Sequence, residues 1–391
     1  MKNLDHYVRV KKKSTLEKLK EGWQVRIMGL SLEEWASKLS KIEADIYFQA
    51  EHTGTLFKLL FLWSYLIHPY LVIIANRRAN HKSGKAIMFY ADPYAGSGLC
   101  KLSTKSNNVI PILGSSLLAL LAPFRMHEKN PNVKYSYLWD YMFLNEIDEN
   151  CRKALKKRLQ YVLECYKHHH VSAPYHISEN LRKNESRSII ITNYDCTKVQ
   201  YWEIFRNSLL ESLNWKVDWI HGLLFIDPPT PSKINLAGFI KLLEVPSDVI
   251  ILLHDGLFAE IIKRGWYKGM EKDLTYALTM RGSEEIDFNE LRKMKLEDIS
   301  SYYVKVYESA LKETKIKGIK DGSETRSEII KFSIRTKRRH YTLLLGVRKT
   351  RGKQFNRWFN WAKDLSEEMS RLSELGEIIV DAFFAKKQHV F

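Results

Sequence analysis

Residues 89–100 read FYADPYAGSGLC and join the end of an apolar run to a turn of small residues. The fold class that we predict for the whole sequence depends on how this stretch is interpreted. The apolar run AIMFYAD (86–92) predicts a buried strand. In the turn after it, Gly96 and Gly98 allow a backbone or a ligand to come close. The pattern is neither GxGxxG nor a phosphate loop that ends in Gly-Lys-Ser/Thr. A tight strand-to-helix turn is an equally good interpretation of the turn alone.

Four more apolar runs follow at intervals that suit a sheet with crossover helices. They are YMFLNEID (141–148), SIIITNYD (188–195), GLLFIDPP (222–229) and DVIILLHD (248–255). Their apolar residues are mostly continuous, as in parallel strands that are buried on both faces. Near the C-terminus, EIIKFSIRT (328–336) and YTLLLGVRK (341–349) flank a short basic connection and predict a hairpin.

These runs predict an α/β fold with a doubly wound, mostly parallel, seven-stranded sheet of the Rossmann-like type. A hairpin at one edge is the pattern of the class I methyltransferase sheet. We expect a basic helical N-terminal extension (1–80), a core (81–255), a helical insertion for target recognition (256–328), and the hairpin with a C-terminal helix (329–391). Ligands of such sheets bind beyond the carboxyl ends of the strands.

The charge of the chain favours a polyanionic partner. It has 391 residues, 45% of them hydrophobic, and a formal net charge of +17, so nucleic acid is the preferred partner over a merely basic, solvated surface. The candidate contacts are two basic runs: Lys11, Lys12 and Lys13, and Lys337, Arg338 and Arg339.

Cysteine usage and hydropathy place the chain in the cytoplasm. The four cysteines have no CxxC spacing, which predicts neither a zinc site nor a disulfide framework. The run His168–His170 lacks a matching partner motif, so no metal is expected. The N-terminal residues lack the apolar run of a signal peptide.

The window Leu56–Ala75 contains Lys58 and Pro69, which favours a buried helix broken near Pro69 over a membrane span.

Acidic residues end several of the predicted strands. Glu146 is placed to accept hydrogen bonds from the ribose hydroxyls of an adenosine group, or to cap a helix. Asp195 could accept from an adenine amino group, or act as an N-cap.

The sharpest signal is Asp227-Pro228-Pro229, directly after the apolar LLFI. Two prolines fix the backbone and leave carbonyl groups unpaired. A carboxylate and a nearby proline carbonyl can then accept from one exocyclic amine and direct its lone pair toward a methyl donor. The alternative is a rigid turn after a strand.

Several stretches, taken in order, resemble the landmarks of the three-Cys-motif partner protein family. They are EHTGTLFKLLFLWSYL, YADPYAGSGLC, GSSLLAL, LNEID and FIDPP, and together they span about residues 50–255. The same order resembles the ribosomal RNA adenine-N6 methyltransferases that carry Asp-Pro-Pro-Tyr. The cysteine motif of the family name belongs to the partner of that family.

The resemblance implies that S-adenosylmethionine is the cofactor and assigns residues to it. The implied cofactor-binding residues are His52, Lys58, Asp92, Ala95, Gly96, Gly98, Gly114, Ser115, Glu146 and Asp195. The residues implied to hold the target amine are Asp227, Pro228 and Pro229. Two positions depart from the pattern, because Ser116 stands in place of a proline and Thr230 in place of the aromatic residue that stacks on an extruded base. Phe258 or Trp266 could supply that ring.

These observations lead to one expected function and two alternatives. We expect a methyltransferase acting on adenine N6 or cytosine N4 in RNA, with rRNA favoured and tRNA possible. One alternative is a nucleic-acid-binding partner subunit with a vestigial cofactor pocket, which would act with a protein partner. The other is a DNA amino-methyltransferase.

Overall fold

The computed structural model describes residues 15–50, 54–80, 86–103, 109–130, 137–169, 175–178, 187–212, 219–279, 285–317, 325–326, 328–335, 340–348, 353–374 and 384. His52 and both predicted basic runs, Lys11–Lys13 and Lys337–Arg339, lie outside the described residues.

The N-terminal part of the chain is mainly helical. Its elements are α1 (Thr15–Trp23), α2 (Leu32–Leu39), β1 (Phe48–Ala50), α3 (Gly54–Tyr65), a π-helical turn (Leu66–Tyr70) and α4 (Leu71–Asn80). A capping box begins α2, since the Ser31 hydroxyl accepts from the Glu34 amide and the Ser31 amide donates to the Glu34 carboxylate.

The long apolar helix is part of the core. Within the described residues, Gly54–Asn76 is the one stretch long and apolar enough to cross a membrane, and 82% of its most apolar window is buried inside the protein. The predicted break near Pro69 takes the form of the π-helical turn, because a proline removes a backbone donor from the helix.

The central part of the chain alternates strands and helices. Its elements are β2 (Ala86–Asp92), β3 (Leu99–Ser103), β4 (Val109–Leu113), α5 (Ser115–Lys129), β5 (Tyr141–Asn145), α6 (Glu149–His169), β6 (His176–Ser178), β7 (Ser188–Thr192), α7 (Val199–Ser212), β8 (Trp219–Ile226), α8 (Leu236–Leu243) and β9 (Ser247–Leu253). A short 3₁₀ turn, Pro231–Lys233, lies between β8 and α8.

The C-terminal part begins with helices and returns to the sheet as a hairpin. Its elements are α9 (Asp255–Arg264), α10 (Glu271–Leu278), α11 (Phe288–Lys293), α12 (Leu296–Glu313), β10 (Glu328–Arg335), β11 (His340–Val347) and α13 (Lys353–Glu374). Helix α13 packs against β10 and α3.

The main sheet is mixed and has eight strands in the order β10-β11-β9-β8-β2-β5-β7-β6. Strand β11 is antiparallel to both of its neighbours, whereas the pairs from β9 to β6 are parallel. Successive residues of β2 alternate between two hydrophobic clusters, with Tyr90 in one and Phe89 in the other. Both faces of the sheet are therefore covered, which explains why its strands have continuous apolar runs.

The sequence prediction was wrong on two features of the sheets. The main sheet has eight strands and not seven, because the three-residue strand β6 adds to the edge beside β7 without an apolar run of its own. In addition, the glycine turn leads into a hairpin, β3–β4, before helix α5 begins at Ser115. This hairpin and β1 form a separate sheet in the order β1-β3-β4.

Candidate functional site

A cavity of about 560 Å³ lies at the carboxyl ends of the parallel strands. Because these strands run in the same direction, the segments that follow β2, β5, β7, β8 and β9 all meet there. The sequence-predicted residues that line it are Lys58, Ala95, Gly96, Gly98, Gly114, Ser115, Glu146, Asp195, Asp227, Pro228 and Pro229. The fold thus groups residues that are up to 171 positions apart in the sequence around one volume.

Asp92 lies beneath the glycine turn and does not line the cavity. Its side chain is fully buried and accepts from the Ser115 hydroxyl at 2.6 Å, the Tyr94 amide at 3.1 Å and the Tyr90 hydroxyl at 3.2 Å. Burial raises the pKa of Asp92 to about 7, although these hydrogen bonds act in the opposite direction. Asp92 therefore connects the turn to the start of α5.

The glycine turn requires glycine for two reasons. Gly96 and Gly98 have φ angles of +59° and +75°, in the left-handed region that favours glycine. A Cβ at Gly98 would also lie 2.9 Å from Cδ1 of Leu155 on α6. The Gly114 amide donates to the Gly98 carbonyl at 2.8 Å, so the turn and the beginning of α5 are in direct contact.

Ser116, which departs from the expected proline, is buried at the start of α5. Its hydroxyl donates to the Ala95 carbonyl at 3.4 Å, and the Ala95 amide donates to the Asn145 carbonyl at 2.9 Å. A serine at this position therefore fixes the same turn by a side-chain hydrogen bond.

Glu146 follows β5 and lines the cavity. One carboxylate oxygen accepts from the Asp148 amide at 2.8 Å. Burial raises the pKa of Glu146, while the hydrogen bond from Asp148 opposes that shift. The next residue, Ile147, is 59% exposed and also lines the cavity, which leaves an apolar side chain beside the carboxylate.

Asp195 follows β7 and also lines the cavity. One of its oxygens accepts from the Thr197 amide at 3.0 Å and from the Thr197 hydroxyl at 2.7 Å, and the other lies 3.7 Å from the Lys198 ammonium. Burial acts to raise the pKa of Asp195, but the Thr197 hydrogen bonds and Lys198 together hold it below its usual value. The carboxylate is therefore charged at neutral pH.

The sequence reasoning missed Asn145, the last residue of β5. Its amide nitrogen donates to the carbonyls of Pro93 (3.0 Å) and Tyr194 (2.9 Å), and its oxygen accepts from the Tyr194 amide (2.7 Å) and the Thr192 hydroxyl (2.8 Å). It joins the segments that follow β2 and β7 on either side of β5. An asparagine placed directly before Glu146 in LNEID was the signal in the sequence.

Asp227 forms an ion pair with Lys58 from helix α3. The Lys58 ammonium donates a hydrogen bond to Oδ2 of Asp227. The Lys58 side chain is 11% exposed and the Asp227 side chain 18%. Burial lowers the pKa of Lys58, but the Asp227 carboxylate more than offsets this, so the pKa is above its usual value. No donor among the described residues reaches Oδ1 of Asp227, and Asp227 lines the cavity.

Four side chains with rings line the cavity together with Asp227, namely Tyr94, Tyr194, His254 and Tyr341. His254 and Tyr341 face each other edge to face across β9 and β11, with centroids 5.0 Å apart and an interplanar angle of 79°. The two residues suggested from sequence as base-stacking rings are elsewhere, since Phe258 is fully buried against Tyr303 and Trp266 is 52% exposed at the end of α9. Neither Phe258 nor Trp266 lines the cavity.

Among the residues that the structure describes, no three His, Cys, Asp or Glu side chains are grouped so as to hold a metal ion.

Comparisons with known proteins assign no family to the chain. No family model matches it, and no curated protein matches it. A solved structure of protein LPL1258 from Legionella pneumophila (DUF519) is 11% identical, with a TM-score of 0.29 over 57% of this chain and 75% of that chain. A similarity at that TM-score says nothing about fold or function.

Proposed function

We propose that this chain is a class I methyltransferase that uses S-adenosylmethionine and acts on an exocyclic amine of a base in RNA. The observation that carries the proposal is the grouping of the glycine turn, two strand-end carboxylates and Asp227-Pro228-Pro229 around one cavity. Taken in order of appearance, the five long parallel strands are arranged 3-2-1-4-5, as in dinucleotide-binding sheets. The antiparallel β11 inserted beside β9 gives the hairpin edge expected of class I methyltransferases.

The cavity has a size and a chemistry that suit this cofactor. About 560 Å³ is within the range of small-molecule sites. Glu146 would accept from the ribose hydroxyls, Asp195 from the adenine amino group, and Ile147 would cover the apolar face of the purine. The cofactor supplies an activated methyl group when it is bound.

On the substrate side, Asp227 performs the orienting step. Its free oxygen, Oδ1, and the carbonyl of Pro228 accept the two hydrogens of the target amine, which directs the nitrogen lone pair toward the methyl donor. The Lys58 ammonium holds the other oxygen, Oδ2, by the ion pair and so fixes the orientation of the carboxylate. The amine loses a proton as it is methylated, and Asp227 or water can accept that proton late in the reaction.

The net charge of +17 supports a nucleic acid as the substrate class. RNA is the proposed nucleic acid, with rRNA favoured over tRNA, and the cytoplasm is the proposed location, in keeping with four cysteines that show no CxxC spacing. DNA is the second candidate nucleic acid. A different function, a nucleic-acid-binding subunit with a vestigial pocket that acts beside a protein partner, is favoured by Thr230 and by the Lys58–Asp227 ion pair.

Calorimetry and methyl transfer separate these candidates. The wild-type chain should bind one S-adenosylmethionine, and Gly98→Arg should abolish binding by filling the turn. Mass spectrometry of nucleosides from rRNA, tRNA and DNA treated with the protein would identify the product. A vestigial pocket predicts no methylated nucleoside, and absence of binding at millimolar cofactor would contradict the enzyme proposal.

Asp227→Ala provides the residue-level test. Cofactor affinity should remain close to wild type, while single-turnover methyl transfer should fall by about 100-fold or more, since a well-placed charged hydrogen bond contributes roughly 1.5–3 kcal/mol and misorientation adds to the loss. Asp227→Asn should keep partial activity, because its amide oxygen can still accept. A folded Asp227→Ala protein with wild-type turnover would remove this residue from the mechanism.

A further inference from the structure

Arg158, on helix α6, is a buried cation that bonds main-chain carbonyls from two segments of the chain. Its side chain is 0% exposed. The carbonyl acceptors are Ser97 (2.8 Å), Leu39 (3.4 Å), Ile42 (2.9 Å), Glu43 (3.0 Å) and Ile46 (2.7 Å). The Glu43 carboxylate pairs instead with Lys157 at the surface. A buried guanidinium without a carboxylate partner is costly, so its five carbonyl bonds require an explanation.

The bond to Ser97 fixes the orientation of a peptide in the glycine turn. A trans peptide is planar, and its C=O and N–H groups point in opposite directions. Because the Ser97 carbonyl points at the buried Arg158, the Gly98 N–H points away from it, on the side where both residues line the cavity. No acceptor for the Gly98 N–H is present among the described residues. Leu155, one turn before Arg158 on α6, also packs against Gly98.

The remaining bonds hold the segment between α2 and β1 against the same turn. Glu43 has φ +50°, a left-handed conformation that is unusual for a residue with a side chain. The segment continues into β1, which pairs with β3 directly after the glycine turn, and the Lys101 ammonium donates to the Ala44 carbonyl at 3.1 Å. One guanidinium thus joins the N-terminal part of the chain to the turn that lines the cavity.

We propose that Arg158 is a positioning residue for cofactor binding, which holds the Ser97 carbonyl so that the Gly98 N–H is presented to the bound S-adenosylmethionine as a hydrogen-bond donor. This inference rests on the proposed function of the cavity. The planar guanidinium presents five donors in a rigid fork, so it can hold the turn and the N-terminal segment at once. A lysine at this position can reach only some of those carbonyls.

Arg326 is a matched control within the same chain. It is also 0% exposed and bonds the carbonyls of Ser247, Leu243 and Val245 at 2.9, 2.7 and 2.9 Å, together with the Ser247 hydroxyl at 2.9 Å. These acceptors lie between the end of α8 and the beginning of β9, at the opposite end of β9 from the cavity, and none of them lines it. Arg158→Lys and Arg326→Lys therefore remove similar bonds at different distances from the cavity.

The experiment measures the Tm of both variants and their affinity for S-adenosylmethionine and S-adenosylhomocysteine, well below either Tm. Both variants should melt at lower temperature. Only Arg158→Lys should bind both ligands about tenfold more weakly, the loss expected when one hydrogen bond to the ligand is misdirected. Equal affinities for the two variants would overturn the inference while the proposed function stands.

A measurement on the wild-type protein covers the case in which Arg158→Lys does not fold. Hydrogen exchange of the Gly98 amide should slow when S-adenosylhomocysteine is added. The Gly222 amide is the control, because it already donates to the Pro246 carbonyl, and its exchange should slow less than that of Gly98. Unchanged exchange at Gly98 in the ligand-bound protein would overturn the inference. A wild-type protein that binds neither ligand would overturn the proposed function and, with it, the inference.

Discussion

Lys58 and Asp227 are 169 positions apart in the sequence and form an ion pair at the cavity. Lys58→Met removes the ammonium but keeps much of the side-chain volume, which leaves Asp227 as a mostly buried carboxylate without its partner. The free energy of unfolding should fall by about 3 kcal/mol, the lower end of the range for broken buried pairs, since both side chains keep some exposure.

Urea unfolding of Lys58→Met and of Lys157→Met measures this effect. Lys157 pairs with Glu43 at the surface, where its side chain is 59% exposed, so its replacement should cost less than about 1 kcal/mol. Equal losses in the two variants would mean that the mostly buried pair contributes no more to stability than the exposed pair.

Asp92 predicts a specific dependence of stability on pH. Burial raises its pKa in the folded protein to about 7, compared with about 3.9 in the unfolded chain. Between these values the folded state binds a proton that the unfolded state has lost, so the contribution of Asp92 to stability is present at low pH and is lost as pH rises toward 7.

Asp92→Asn removes this titration while keeping an acceptor for the Ser115 hydroxyl. The variant should therefore gain stability relative to wild type between about pH 5 and about pH 8. Chemical denaturation at both pH values gives the difference between the two proteins. A difference that is the same at both values would indicate that Asp92 titrates in its ordinary range.

At the scale of elements, glycines inside β8 and α8 set how closely neighbouring elements pack. A Cβ at Gly222 would lie 2.0 Å from Cζ of Phe89 on β2, and a Cβ at Gly238 would lie 2.3 Å from Cδ1 of Trp202 on α7. Both aromatic side chains are fully buried. The Phe89 ring therefore lies over position 222 of the neighbouring strand, where only glycine leaves room for it.

Gly222→Ala should destabilise the protein by about 3 kcal/mol, because Phe89 cannot move within a packed core. Gly22→Ala is the control: Gly22 lies in helix α1 with nothing within 4 Å of the added Cβ, so alanine should stabilise the protein by up to about 1 kcal/mol. Thermal melts of both variants test this pair. A tolerated Gly222→Ala would show that the Phe89 ring can move aside within the core without loss of stability.

For the whole molecule, the distribution of charge predicts how it binds nucleic acid. Residues 312–363 carry sixteen Lys or Arg and four Asp or Glu, so much of the net charge of +17 comes from this part of the sequence. Binding to single-stranded RNA should weaken steeply with salt, with a log–log slope of about −0.7 for each phosphate that is neutralised. Fluorescence anisotropy between about 50 and 200 mM salt measures the slope. A flat dependence would point to a small-molecule or protein substrate.

The sequence by itself determined the main strands and the residues at their ends. Continuous apolar runs predicted β2, β5, β7, β8 and β9, because strands that are buried on both faces need apolar side chains at successive positions. Strand β6 has only three residues, and β3–β4 follows a turn that also suits a helix, so neither had a local signal. The candidate site was predicted at the strand ends because parallel strands bring those ends together.

Only the tertiary structure decided how those residues are connected. Three sets of contacts join residues that are 49 to 169 positions apart in the sequence. They are the Lys58–Asp227 ion pair, the hydrogen bonds of Asn145 to both neighbouring segments, and the hydrogen bond from Arg158 to the Ser97 carbonyl. No local propensity encodes such contacts, because they depend on how helices and strands pack once the sheet has formed. A buried polar group must find its partners within the packed core, and these partners are fixed by the whole fold.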